Sequence, residues 1–190
     1  MAEMNRVSRF FVNTFSARRN TRIYGWLRAN VPLPAGAACL EIGCGNGDMA
    51  ARVVDGLRPA RYVATDLDPH QIESARRHLS DRYADGFPPP LELRTADMLH
   101  LPFADASFDA VLAFVAIHHA SPSHHDPTNV PPALAEIDRV LRPGGVLVYE
   151  EILHKDVIRS WLSQRRYALP AIDRGWKRET VLARKLASSR

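Results

Sequence analysis

CLEIGCGNGD, residues 39–48, runs from a short apolar stretch into three glycines at alternate positions, Gly43, Gly45 and Gly47. An apolar run stopped by glycine predicts a strand over residues 38–42. A helix should follow, because Met49, Ala50, Val53, Val54 and Leu57 recur on one helical face. Strand, glycine loop and helix begin a βαβ unit, and its right-handed crossover places the loop at the carboxyl edge of a parallel sheet, where open α/β folds bind ligands. Glycine there lets a ligand approach the backbone. The dinucleotide pattern G-x-G-x-x-G fails at its last position, which Asp48 occupies. Glu41 and Asp48 also flank the loop, and two carboxylates oppose a pyrophosphate, so a ligand with positive charge fits better.

Outward from this loop the alternation continues. RYVATDLD (61–68) predicts a second strand, after which Asp68 caps a helix with Pro69 at its first position and Ile72, Ala75, Leu79 and Tyr83 on one face. GFPPP (86–90) stops that helix. LELRTAD (91–97) reads as strand three, and FDAVLAFVAI (108–117), continuously apolar, as a strand buried on both faces. A loop rich in His and Pro (118–132) leads to the helix PALAEIDRVL, with Leu134, Ile137, Val140 and Leu141 inward, which RPGG ends before the strand GVLVYEEI. Upstream, two helices are expected, one near residues 5–17 carrying Val7, Phe10, Phe11 and Phe15, and one near 21–30 burying Ile23, Trp26 and Leu27 with Val31. Downstream, TVLARKL (180–186) reads as a last strand, while nothing between Trp161 and Trp176 reads as its antiparallel partner. The fold class is therefore α/β, Rossmann-like and doubly wound, with a mostly parallel sheet, helices on both faces and an abbreviated C-terminal edge. One domain over residues 1–190 divides into cap helices (1–37), a ligand-binding core (38–152) and a short C-terminal segment (153–190). An exposed edge strand can recruit a second copy, so a homodimer is a further expectation.

Composition agrees with one core: 190 residues, 46% hydrophobic, no low-complexity tract. No apolar run reaches the roughly 18 residues of a membrane span, and the N-terminus has no continuous apolar signal region. Cys39 and Cys44 are too few and too close for a disulfide framework and read as apolar fillers in a reducing compartment, which points to the cytoplasm. Residues 1–38 carry 6 basic and 1 acidic side chains, 39–150 carry 9 and 16, and 151–190 carry 10 and 4. An acidic middle opposes a concentrated nucleic-acid-binding face there, leaving the basic ends as the remaining source of one.

Glu41-Ile42-Gly43-Cys44-Gly45-Asn46-Gly47 resembles the first motif of the class I S-adenosylmethionine-dependent methyltransferases, an acidic residue, any residue, then G-x-G-x-G. The cofactor's ammonium and sulfonium suit acidic groups, and its carboxylate suits backbone N–H groups at a helix start. The resemblance implies that Glu41 orients the amino-acid moiety. It places Asp66, 19 positions after Gly47, with Leu67 at the ribose, and Asp97-Met98, in RTADMLHLPFADASFDAV, at the adenine. Phe114, in SFDAVLAFVAIHHA, joins the expected cofactor contacts, and EIDRVLRPGGVLVYEE completes the ordered motifs over residues 39–150. Asp109 reads as structural, at the foot of strand four.

Such an enzyme moves a methyl group by direct displacement to an O, N or C nucleophile and leaves S-adenosylhomocysteine, so its protein chiefly aligns reactants and excludes water. For a hydroxyl or acidic carbon a base helps, and His118 or His119 stands where this family meets its acceptor. His118, His119, His124, His125 and Asp126 also cluster, but with no paired cysteines and no helical H-x-x-x-H spacing no metal is expected. Base-modifying relatives carry N/D-P-P-aromatic after strand four, where this chain has AIHHASPS. A small-molecule acceptor leads. RNA or protein stands behind it, on the strength of Arg165, Arg166, Lys177 and Arg178. A cofactor-binding partner protein without transferase activity is the alternative of a different class.

Overall fold

A computed structural model describes residues 6–88 and 90–187, with side chains from residue 17 onward. α1 (Arg6–Asn30) is one continuous helix where two were expected. Nothing between residues 17 and 21 breaks it: no Gly or Pro intervenes, Thr21 Oγ1 donates to the Ala17 carbonyl at 2.9 Å, and Asn20 turns its amide away to Asp48. The apolar face assigned to Val7, Phe10, Phe11 and Phe15 lies outside the described side chains.

Seven strands form one sheet in the order β3-β2-β1-β4-β5-β7-β6: β1 (Ala38–Ile42), β2 (Arg61–Asp66), β3 (Leu91–Thr95), β4 (Phe108–Phe114), β5 (Leu141–Glu151), β6 (Tyr167–Arg174) and β7 (Glu179–Lys185). The first five are parallel, while β7 runs antiparallel to both β5 and β6. α2 (Asp48–Leu57), α3 (Pro69–Arg82), α4 (Val130–Val140) and α5 (Lys155–Gln164) connect them. Alternating strand side chains feed two core layers. Cys39, Tyr62, Leu112 and Val148 pack toward Ile23, Leu27, Val53 and Leu79 on one face. Leu40, Val111, Leu147 and Tyr149 pack toward Leu134, Ile137, Ile158 and Leu162 on the other. Burial on both faces is what makes β1 and β4 read as largely apolar runs, broken only by Glu41 and by Asp109.

The C-terminal edge corrects the expectation of an abbreviated sheet. The segment after β5 is short, yet it holds α5 and both strands of an antiparallel pair. β6 escaped sequence reading because its burial alternates weakly and Pro170 interrupts it, and proline is tolerated on an edge strand, where its missing N–H costs no ladder bond. The β6–β7 register shifts between Ala168 and Ala171, around that proline. β7 is therefore interior, and the exposed edge on which a homodimer was argued belongs to β6. Among the described residues no helix is long and apolar enough to cross a membrane.

Candidate active site

Strand order reverses between β1 and β4, which opens a crevice at their carboxyl ends. The loops leaving these strands touch there. A Cβ on Gly43 would stand 2.7 Å from Ala116 Cβ, and Gly43 has φ +71°, so residue 43 is glycine on both counts. At Gly45 (φ +54°) a Cβ would meet nothing within 4 Å. The loop thus closes against the β4 turn at Gly43 and stays open to a ligand at Gly45.

Backbone bonds hold the loop against β2. Cys44 N–H donates to the Thr65 carbonyl at 2.9 Å, and Gly45 N–H donates to Asp66 Oδ2 at 3.0 Å. Asp66 Oδ1 accepts from Asp68 N–H at 3.1 Å. Each carboxylate oxygen keeps a lone pair for a further donor. Burial raises the Asp66 pKa, which the backbone donors Asp68 and Gly45 partly offset. Leu67 beside it is an exposed large apolar side chain, 56% accessible. Ala96 N–H donates to the Asp66 carbonyl at 3.0 Å, bringing the Asp97 turn alongside, where Asp97 Oδ1 accepts from Leu99 N–H at 2.8 Å. Met98 is partly buried and packs on the α4-side core. Asn46 Oδ1 accepts from Asp48 N–H at 3.3 Å. Cys44 acts through its backbone, its thiol being buried.

Glu41 lies under the loop, 3% exposed, with Oε2 accepting from Tyr62 Oη at 2.8 Å. Burial pushes its carboxyl up to about 8, reinforced by Asp48 and Asp66 and opposed by the Tyr62 hydrogen bond and Arg19. Asp48, in the first turn of α2, is held by Asn20 Nδ2 and Arg52 Nε, each at 2.9 Å. In the first turn of α2, Asn46 Oδ1 takes the Asp48 N–H and the Gly47 carbonyl takes that of Ala51, so the N–H groups of Met49 and Ala50 remain for a ligand carboxylate. These groups fit S-adenosylmethionine by the chemistry of the donor set, carboxylates for its cationic amino-acid end and free N–H groups for its anionic one.

The expected strand through residue 117 stops at Phe114, because Val115 adopts φ +57° and a 3-10 turn (Ile117–Ala120) follows. A β-branched residue in that region is strained, and the neighbouring bonds hold it. Val115 N–H donates to the Glu150 carbonyl at 2.7 Å, while Ala116 and Ile117 N–H donate to Glu151 Oε1 at 2.9 and 2.7 Å. Glu151 Oε2 pairs with His118 Nδ1 at 2.7 Å, both side chains being buried. Phe114 is 6% exposed and packs its ring in the α1-side core. His119 is exposed, its ring 4.0 Å from His118 and 4.4 Å from His124. Partial desolvation of the ring, then the neighbours His118 and His124, lower its pKa to about 4.

The structure brings the Gly43–Gly47 loop, Glu41, Asp66, Asp97 and the His118 turn to one edge of the sheet, and His118 and His119 part company there, one anchored and one free. Sequence reading missed Tyr62, Asn20 and Glu151. It also missed Arg22, which pairs with Glu150 beside the Thr180 hydroxyl at 2.7 Å from the same carboxylate oxygen. The signal for the last group was the Glu150-Glu151 pair closing an apolar strand: adjacent strand residues face opposite sides, so one carboxylate had to meet each face.

Comparison with known proteins agrees with this geometry. A family model described as a methyltransferase domain matches residues 40–149. Among curated relatives, phthiotriol/phenolphthiotriol dimycocerosates methyltransferase of Mycobacterium leprae is 36% identical over 128 residues, covering 67% of this chain and 42% of the relative. The 27-O-demethylrifamycin SV methyltransferase of Amycolatopsis mediterranei is 34% identical over 134 residues, covering 70% and 45%. The chain thus spans less than half the length of these relatives. A SAM-dependent methyltransferase from Aquifex aeolicus superposes with TM-score 0.69 at 13% identity over 86% of this chain and 89% of that one. The [4+2]-cyclase SpnF superposes with TM-score 0.71 at 18% identity, over 88% and 81%. Both show a shared fold, and the cyclase shows that this fold hosts more than one reaction. With the motifs in order on the strands that position them, the chain belongs to the methyltransferase-domain family, among the class I S-adenosylmethionine-dependent proteins.

Proposed function

We propose that the chain is an S-adenosylmethionine-dependent methyltransferase that alkylates an O, N or C nucleophile of a small molecule, with His118 as general base. The observation that carries the reading is the buried Glu151–His118 pair on the turn that abuts the glycine loop. Glu151 already accepts two backbone N–H bonds, so it takes its third from His118 Nδ1–H, which leaves the His118 lone pair on Nε2. The cofactor supplies an electrophilic methyl group on a cationic sulfur. The Met49 and Ala50 N–H groups beside the open Gly45 would receive its amino-acid carboxylate, Glu41 its ammonium, Asp66 its ribose hydroxyls with Leu67 over them, and Asp97 with Met98 its adenine. Bound there, the cofactor would supply the methyl group for direct displacement by the acceptor, while the chain would align the two and His118 Nε2 would take the acceptor's proton. His119 lines the same turn without an anchor. The relatives named for phthiotriol dimycocerosates and demethylrifamycin support a small-molecule acceptor over RNA or protein. The free buried thiols of Cys39 and Cys44 suit a reducing compartment, the cytoplasm in this reading.

Calorimetry with S-adenosylmethionine and NAD, then a labelled-methyl assay against small-molecule, RNA and protein fractions of a cell extract, tests the proposal. Binding of the first ligand alone and label in the small-molecule fraction are expected. His118→Ala should abolish transfer and keep cofactor binding. No binding at millimolar S-adenosylmethionine would overturn the reading.

A further inference from the structure

The turn after β4 brings three imidazoles together from a sequence whose spacing gave no metal signature. His118, His119 and His124 each offer a ring nitrogen, and these atoms all lie within 4.8 Å of one another. Two features make this more than a surface cluster. His118 is buried and its Nδ1 is fixed by the Glu151 carboxylate, the arrangement by which a carboxylate orients a histidine and raises its basicity toward a metal. The loop bearing His124 is also tied down, since His154 Nε2 lies 2.8 Å from the His124 carbonyl oxygen. We propose that His118, His119 and His124 form a three-nitrogen site for one divalent transition cation of the zinc class, with Glu151 as the positioning residue for His118.

Neutral imidazole suits zinc, copper, nickel and cobalt, and three protein nitrogens leave a fourth position for water or a ligand oxygen. Bonds of about 2.0–2.1 Å to a tetrahedral ion set the nitrogens roughly 3.4 Å apart. Closing from 4.8 Å asks for rotation of His119 and His124, both exposed side chains, while buried His118 stays in place. The rings already approach at 4.0, 4.4 and 5.6 Å between centroids. A cation bonded to His118 Nε2 consumes the lone pair that the proposed base uses, so occupancy and proton abstraction exclude one another. That consequence rests on the methyltransferase reading, whereas the site itself does not.

Titration of the full chain with Zn2+ by calorimetry, and with Co2+ by visible absorption, tests the site without cofactor or acceptor. One ion per chain and the strong visible bands of low-coordinate cobalt are expected. His124→Ala and His119→Ala, both exposed, should lose the saturable site with unchanged circular dichroism, and His125→Ala should retain it. Glu151→Gln should weaken binding about 10–100-fold, the usual cost of losing such a partner. A stoichiometry other than one, or His124→Ala binding as the parent does, would overturn the proposal even if methyl transfer is confirmed. Conversely, metal binding in a chain that ignores S-adenosylmethionine would leave it standing alone.

Discussion

Cofactor binding should release a proton, and Glu41 is its source. The carboxyl is 3% exposed and pushed up to about 8 by burial, with Asp48 and Asp66 adding repulsion and Tyr62 and Arg19 opposing them. At pH 7 such a group is about 90% protonated, and ionising it costs about 1.4 kcal/mol, rising to about 2.7 kcal/mol at pH 6. A bound ammonium stabilises the carboxylate, so binding at pH 7 releases close to one proton and affinity gains almost tenfold per pH unit from 6 toward 8 before levelling off. Calorimetry with S-adenosylhomocysteine, which keeps the ammonium and does not react, measures the release when repeated in buffers of different ionisation enthalpy. Glu41→Gln mimics the protonated carboxyl, keeps an oxygen for Tyr62 Oη, and should bind with no proton release and a flat pH profile. The unliganded chain carries the opposite sign. A pKa raised from the ordinary 4.5 favours the folded state below that value, and the contribution is lost as pH rises toward 8, so Glu41→Gln should flatten the decline in urea midpoint over that window. Release below about 0.2 proton at pH 7, or the same slope in Glu41→Gln, would refute the argument.

Other consequences are as direct. Gly43→Ala places a methyl 2.7 Å from Ala116 Cβ at positive φ and should destabilise by about 2–4 kcal/mol in urea unfolding; adding Ala116→Gly should recover the steric part and leave the backbone part. Leu79→Ala empties a fully buried site whose Cδ1 lies 3.1 Å from where a Gly47 Cβ would be, so a loss of about 2–5 kcal/mol should come with weaker cofactor binding in calorimetry. Asp66→Ala removes the acceptor of the Gly45 N–H and should weaken S-adenosylhomocysteine binding at least about tenfold, with folding checked by circular dichroism.

The loops proposed to hold the cofactor were legible because each of their parts is local. The loop's glycines lie within five residues, Asp66 ends β2, and Asp97 follows β3 by two residues, so each group proposed for the cofactor sits beside a strand that its own local sequence marks. The helices followed wherever a cap coincided with a periodic face, as at Asp68, whose side chain accepts from His70 N–H at 2.9 Å. What stayed hidden depends on contacts across the sheet. Tyr62 reads as one more apolar residue of β2, and only the parallel register with β1, which sets Tyr62 against Cys39, brings its hydroxyl to Glu41. β6 was lost to Pro170 and weak alternation, though β7 left it an unpaired edge to fill.

The acceptor side shows the same limit in sharper form. His118 and Glu151 stand 33 residues apart, and each alone reads as packing or strand end. β4 and β5 lie side by side, and the left-handed Val115 turns the chain so that residues 116–118 present two N–H groups and one imidazole to a single carboxylate. Strain at Val115 is therefore the cost of gathering those donors, and Glu151 is the group that offsets it. This makes Glu151 the hinge between the two proposals: with Oε1 taken by two backbone N–H groups, Oε2 accepting from Nδ1–H fixes the His118 tautomer that a base requires and the same tautomer that a metal ligand requires. Glu151→Gln turns an amide N–H toward His118 Nδ1, shifts the imidazole proton to Nε2, and should weaken methyl transfer and zinc binding together while S-adenosylhomocysteine still binds. Loss of one function without the other would show that His118 does not serve both through Nε2.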